Sequence, residues 1–224
     1  MWNLPAPPGF VGFDPESPVR IYQRNLPHCR QEGATYFTTF RLADSLPEAR
    51  LLELSALRAA WERANPPPRN EGQWKALART TIQHIERWLD EGTGSCVLRQ
   101  AIAGDIVEAK LRHFDGVRFE LGAYVVMPNH VHALVRPYSD ASQPLETIEQ
   151  GWKGFSSREI HVALGSQRQL WQFESYDRIV RDEEHLCKCL QYIGDNPRRA
   201  GLGFQDTRLW VCPAWVHAGW NFQS

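Results

Sequence analysis

The chain reads as an α+β protein, an antiparallel β-sheet backed by helices. Two observations carry that reading. Strand-like stretches at 35–42, 117–126 and 130–136 are interleaved with longer stretches of helical periodicity. The last two strands are separated only by Met127-Pro128-Asn129, too short for anything but a hairpin.

Each element has a local reason. Residues 1–18 hold Pro5, Pro7, Pro8, Pro15 and Pro18, which makes an extended arm that is ordered only if it docks on the body. The stretch 19–30, VRIYQRNLPHCR, is basic with one aromatic, and fits either a phosphate contact or a solvated connector. TYFTTFRL, 35–42, is β-branched and aromatic, hence a strand. Ser45-Leu46-Pro47-Glu48 has the form of a capping box and predicts a helix to about Ala64, with Leu51, Leu54, Leu57 and Trp61 on one face. NPPPRNEG stops it, and a second helix over 73–90 carries Trp74, Leu77, Ile82, Ile85 and Leu89. EGTGS is a turn. A helix near 99–113 precedes the turn signal Asp115-Gly116.

The strand 117–126 alternates Val117, Phe119 and Leu121; the strand 130–136 sets His130, His132 and Leu134 against Val131, Ala133 and Val135. The second set is an apolar face that should pack on a helix layer. A helix over about 144–164 places Leu145, Ile148, Trp152 and Phe155 together. DRIVR, 177–181, is a short strand. Asp182 caps the last helix, Glu183 and Glu184 suit its positive end, and Pro197 is expected to end it. Residues 201–224 hold Trp210, Trp215 and Trp220 with little periodicity. The commonest solution for such an order of elements is the ferredoxin-like arrangement. The expected divisions are an arm over 1–34, a catalytic domain over 35–203 and a Trp-rich tail over 204–224.

Composition bounds the function. Twenty-five Lys and Arg against 26 Asp and Glu give a formal charge of −1, so a nucleic-acid surface would need local sorting of charge. Five dispersed cysteines without a C-x-x-C pair read as reduced cytosolic thiols. The start of the chain lacks the pattern of a secretory signal, and no apolar run approaches the roughly 20 residues of a membrane span. No phosphate-binding G-x-x-x-x-G-K-S/T loop occurs. Most of the nine tryptophans should be packing residues, and some are candidates for stacking on unpaired bases.

The chemistry centres on MPNHVH, 127–132. Residues two apart on a strand share a face, so His130 and His132 leave the sheet together, close enough to hold one metal ion. The same pattern also fits two histidines on a solvated face. Mg²⁺ or Mn²⁺ there would act on a phosphate as Lewis acid and template. On the last helix Tyr192 and Asn196 stand at i, i+4 spacing, with His185 and Lys188 on the same side and Leu186, Leu190 and Ile193 on the apolar face. Tyr192 fits an amphipathic tyrosine at the core edge, or a nucleophile that attacks phosphorus. Asn196 fits a helix-end cap or a metal ligand.

YVVMPNHVHALVRP, LWQFESYDRIVRDEEHL and YIGDNPRRAGL, in that order and spacing, resemble the REP-associated tyrosine transposases. These are HUH single-strand DNA endonucleases close to the single-tyrosine transposases of bacterial insertion sequences. LPHCRQEGATYFTTFRLADSLP is similar to the opening of that family, and the resemblance covers roughly 20–203. It implies the ferredoxin-like HUH nuclease fold, with His130 and His132 as the paired histidines, Tyr192 as nucleophile and Asn196 completing the metal site. The implied activity is Mg²⁺- or Mn²⁺-dependent cleavage and rejoining of single-stranded DNA through a 5′-phosphotyrosine, at hairpins of repeated extragenic palindromes. The rival readings are a domesticated, non-cleaving binder of hairpin DNA or RNA, and a metal-dependent hydrolase of a small phosphate. Arg178, Arg181, Lys188, Arg198 and Arg199 are candidate DNA contacts. The resemblance further implies a bacterial, nucleoid-associated cytoplasmic protein, monomer or homodimer. Two departures stand: Gly194 replaces a residue often bulky or acidic in the family, and the chain is less basic.

Overall fold

The computed structural model describes residues 4–23, 27–139 and 143–222. Its elements, in order, are β1 (Arg20–Gln23), β2 (Pro27–Arg30), β3 (Tyr36–Arg41), α1 (Glu48–Ala64), α2 (Glu71–Asp90), α3 (Ala101–Arg112), β4 (Phe119–Val126), β5 (His130–Pro137), α4 (Leu145–Leu164), β6 (Tyr176–Ile179), α5 (Glu183–Arg199), β7 (Arg208–Val211) and α6 (Pro213–His217). Five strands form one sheet in the order β6-β3-β5-β4-β7, every pair antiparallel. This is the α+β architecture expected from the interleaving of strands and helices.

The sheet sorts its two faces by strand alternation. Val131, Ala133 and Val135 join Val107 and Leu111 of α3 and Ile148 and Trp152 of α4 in one core. Phe37, Val125 and Leu134 join Leu186, Leu190 and Ile193 of α5 in the other, with Trp215 and Trp220. Each such aliphatic burial contributes about 1.5–3 kcal/mol, so α5 is pinned to the sheet by its apolar stripe. The MPN segment closes the β4–β5 hairpin, Met127 donating its N–H to His130 O at 2.8 Å.

Several expectations are corrected. The stretch 19–30 is no connector: β1 and β2 pair as a two-stranded ribbon, its residues 24–26 lying outside the described residues. Ser45 does not cap α1. Its hydroxyl donates to Leu42 O at 2.8 Å, and the first turn starts from Pro47 without a side-chain cap. None of the residues of α1 is buried, so the expected face of Leu51, Leu54, Leu57 and Trp61 is only half covered, with Leu51 exposed. The reason is that α1 packs chiefly on α2, where Trp61 meets Trp74 at 5.1 Å between ring centroids. The second helix starts earlier than expected because Asn70 and Gln73 form a reciprocal capping box. Val117 lies outside β4 and is exposed, and Phe155 is exposed on α4.

Pro197 does not end α5. A proline in the last turn forfeits only one bond to the carbonyl four residues back, and the helix runs on to Arg199 before reversing at Gly201 (φ +65). Residues 208–211, read as part of an aperiodic tail, form edge strand β7. The segment after it crosses back over the sheet, where Trp215 and Trp220 donate their indole N–H groups to Pro8 O at 3.0 Å and Pro5 O at 2.9 Å. The proline-rich arm is therefore docked. The same segment explains Gly194: a Cβ there would come within 2.7 Å of the Phe222 ring.

Candidate functional site

β5 lies between β3 and β4, with His132 opposite Thr39 and His130 opposite Arg41. Alternation turns both imidazoles toward α5, and their Nε2 atoms stand 3.0 Å apart. Both side chains are at most 1% exposed.

What orients the rings decides their chemistry. The Asn129 amide nitrogen donates to Leu89 O at 3.2 Å and Thr93 O at 3.3 Å, which leaves its oxygen facing His130 Nδ1 at 2.8 Å. An amide oxygen only accepts, so His130 carries its proton on Nδ1 and its Nε2 is a bare lone pair. His132 Nδ1 meets the Thr39 hydroxyl at 2.7 Å, a partner able to donate or accept. Burial pushes His130 down to about 3, and burial with His130, Arg178 and Arg199 nearby holds His132 well below its ordinary value. Both rings are neutral at neutral pH.

α5 completes the site. Asn196 is 0% exposed, and neither its carbonyl oxygen nor its amide nitrogen has a hydrogen-bond partner among the described residues. It nevertheless stands close enough to His130 and Tyr192 to affect the ionisation of both. One turn earlier, Tyr192 sets its ring edge-on to His132 at 5.1 Å and to Phe37 at 5.9 Å. Its hydroxyl is buried and makes no full hydrogen bond among the described residues, Asn196 being its polar neighbour. Burial, with Glu86 and Asp90 of α2 adding to it, raises the phenol well above its ordinary value, and Arg199 works in the other direction. A buried hydroxyl and a buried amide with nothing to bond are costly, about 1–3 kcal/mol per group. Such groups call for a reason beyond packing, a catalytic role or a bound ion among them.

Of the five basic residues singled out in the sequence, two border this cluster. The Arg199 guanidinium lies 5.0 Å from the Tyr192 ring centre and binds Asp90 at 3.0 Å. Arg178 lies over Phe37 at 4.7 Å. Arg181 is exposed; Lys188 and Arg198 are exposed and paired with Glu184 and Asp195 on the same helix. Sequence reasoning missed Asn129, read only as a turn residue, and Thr39, read only as strand. The signal for both was adjacency: one precedes His130, the other falls opposite His132 once the strands are paired.

The donor set fits a divalent cation. Two neutral imidazoles bring their Nε2 atoms to one point, that of His130 as a bare lone pair, and the Asn196 amide sits beside them. Among the described residues no three His, Cys, Asp or Glu side chains are grouped at metal-binding spacing. Further ligands would be an amide oxygen, water or an oxygen of the substrate.

No protein-family profile and no curated protein matches the chain. A solved structure of a REP-associated tyrosine transposase bound to a REP hairpin is similar at 17% identity, over 81% of this chain and 74% of that one, with a TM-score of 0.37.

Proposed function

We propose that this protein cuts and rejoins single-stranded DNA, with Tyr192 as nucleophile and His130, His132 and Asn196 as the holders of a divalent metal ion. The observation that carries the reading is the convergence of two neutral imidazoles, the Asn196 amide and the Tyr192 hydroxyl in one buried cluster, the last two without a full hydrogen bond among the described residues. The sequence resemblance gives the reaction its form. The Tyr192 oxygen bonds to phosphorus, the P–O3′ bond breaks, and the strand leaves with a 3′-OH that takes up a proton. The other end stays attached as a 5′-phosphotyrosine. Rejoining reverses both bonds. Mg²⁺ or Mn²⁺, when bound, polarises the phosphate and neutralises developing charge.

The chain's own residues do the rest. Asn129 and Thr39 hold the two rings with Nε2 toward the reaction centre, and the Asn129 oxygen keeps the His130 proton on Nδ1. Tyr192 must lose a proton that its surroundings hold tightly, burial first and Glu86 and Asp90 after it, so the phenol is protonated in the free protein. Arg199 and Arg178 offer positive charge near the attacking oxygen and the phosphate. The hairpins of repeated extragenic palindromes are the proposed substrate, on the strength of the resemblance alone.

A second reading is a hairpin-binding protein that does not cut. The observation favouring it is burial, since His130, His132 and Asn196 are closed off from solvent. Incubating the protein with labelled hairpin-containing single strands and Mn²⁺, then running a denaturing gel, separates the two. A band shifted by a covalent adduct in wild type and absent from Tyr192→Phe is expected. Binding without any adduct would leave the second reading.

A further inference from the structure

Beside the histidine pair, between the α1–α2 hairpin and the sheet, lies a cavity of about 250 Å³. It lies just below the roughly 300–1,000 Å³ of ordinary small-molecule pockets, so it has room for one compact ligand and not for a duplex. Its floor includes Thr39 and Arg41 of β3 and Tyr176 of β6; its walls include Trp74, Leu77 and Ile85 of α2. Thr39 thus serves both places, lining the cavity and bonding His132.

Arg41 is the anomaly. Its guanidinium reaches only neutral groups, Ser45 Oγ at 3.0 Å and Leu42 O at 3.4 Å. Among the described residues no carboxylate pairs with it. Most other partly covered arginines are matched, Arg30 by Asp177 and Glu146, Arg136 by Glu120, Arg199 by Asp90 and Arg208 by Asp105; Arg178, which reaches Cys189 Sγ and no carboxylate among the described residues, shares the shortage but lies at the histidine pair and not on this cavity. Burial without a counter-charge drags Arg41 down to about 10. A largely buried, unmatched cation costs several kcal/mol unless something anionic comes to it. A guanidinium fork suits a phosphate better than any other common anion on a polymer. Arg41 is the cross-strand partner of His130, so the two side chains leave the same face, and a strand with a phosphate at the histidine pair would have its neighbouring nucleotide within reach of this cavity.

We propose that the cavity holds one unpaired nucleotide of a DNA strand, its phosphate on the Arg41 guanidinium and its base against the Trp74 ring. The nucleotide is the one flanking the bond at the histidine pair, so the inference rests on the single-strand reading above for the identity of the polymer. Base–aromatic stacking is tolerant of sequence, which assigns this pocket to grip and register rather than to reading a particular base.

The test is anisotropy of a labelled, hairpin-free single strand with the full chain, over a salt series, for wild type, Arg41→Met, Arg41→Lys and Trp74→Leu. Arg41→Met should weaken binding about tenfold, the worth of one charged hydrogen bond. It should also lower the slope of log affinity against log salt by about 0.7, one phosphate contact on a single strand. Its melting temperature should equal or exceed that of wild type, because an unmatched buried charge is removed. Arg41→Lys keeps the charge but not the fork, so the slope should persist while affinity falls. Trp74→Leu should weaken binding without touching the slope. Thymidine 5′-monophosphate should displace the strand better than inorganic phosphate does. Unchanged affinity and slope in both Arg41 variants would overturn the proposal. So would a melting temperature that falls in Arg41→Met while binding by Arg41→Lys stays at the wild-type level, since Arg41 is then structural. Equal competition by inorganic phosphate would overturn the base contact. Covalent adducts are scored in parallel. A wild type that binds through Arg41 yet forms no adduct fails the nuclease reading alone; one that forms adducts with an affinity indifferent to Arg41 fails this inference alone.

Discussion

Replacing Asn129 with alanine should disarm the histidine pair without touching either histidine. The side chain is 1% exposed and makes three hydrogen bonds: two from its amide nitrogen, to Leu89 O and Thr93 O, and one accepted from His130 Nδ1 at 2.8 Å. Leu89 O keeps a second partner in Gly92 N–H at 3.0 Å, so the heaviest loss falls on the His130 N–H. Leaving one buried donor orphaned and weakening two carbonyls should cost about 2–3 kcal/mol. For a chain of this size that is a melting temperature lower by roughly 5–10 °C. The second effect is chemical. Without an acceptor at Nδ1, the His130 proton is free to move to Nε2, where it blocks the lone pair. Loss of such an orienting partner typically costs 10–100-fold in metal affinity. Urea unfolding, Mn²⁺ titration and the ¹⁵N shifts of the His130 ring read the three consequences separately. Asn129→Asp keeps an acceptor for Nδ1 but loses both donors, so it should lose stability while keeping the tautomer. A wild-type His130 found protonated on Nε2, or an alanine variant with unchanged Mn²⁺ affinity, would refute the reasoning.

Other outcomes follow from the same geometry. Tyr192→Phe should abolish the SDS-resistant adduct, leave DNA affinity nearly intact and leave stability equal or slightly higher, because the lost hydroxyl is buried without a full hydrogen bond among the described residues. His130→Ala should impair cleavage in a way that excess Mn²⁺ partly restores, whereas no metal concentration should restore Tyr192→Phe. Hairpin-containing single strands should bind more tightly than duplex at matched salt, with affinity falling as salt rises; equal affinity would count against the substrate class. On the far side of the sheet, burial opposes a charged His28, but hydrogen bonds to Asp177 at 2.7 Å and Glu174 at 3.2 Å outweigh it and hold the ring at about 9, above its ordinary 6.5. A raised folded-state pKa stabilises fully below 6.5 and is lost as pH rises through 9. Wild type should therefore lose urea stability across that window, and His28→Gln should show a flatter dependence there.

The sequence was most legible where one residue decides one local event. Asp182 before two glutamates announced α5, and its carboxylate does accept the His185 N–H at 2.7 Å. The period-two pattern of 130–136 announced which side chains share a face, and Val131, Ala133 and Val135 do lie in a different core from Leu134. Legibility failed where the answer depends on what lies opposite. α1 has helical periodicity and almost nothing to bury it against, so its apolar face could not be ranked from spacing. β7 carries no pattern that distinguishes it from a coil; it is a strand because β4 offers it an open edge, with Trp210 stacked on Tyr124 at 5.4 Å. Pro197 was misjudged by a rule about sequence neighbours, whereas a proline in the last turn costs the helix only one bond and the chain reverses at Gly201. The candidate site divides along the same line. His130 and His132 are neighbours in sequence and were visible. The groups that give them meaning are remote: Thr39 from β3, the carbonyls of 89 and 93 that fix the Asn129 amide, and Glu86 and Asp90 of α2 beside Tyr192. All of these come from segments before residue 94. α2 therefore holds part of the electrostatics of the site, through Glu86 and Asp90, as well as part of its scaffold, through the Leu89 carbonyl. Burial is the larger reason that the Tyr192 phenol stays protonated, and the two α2 carboxylates add to it.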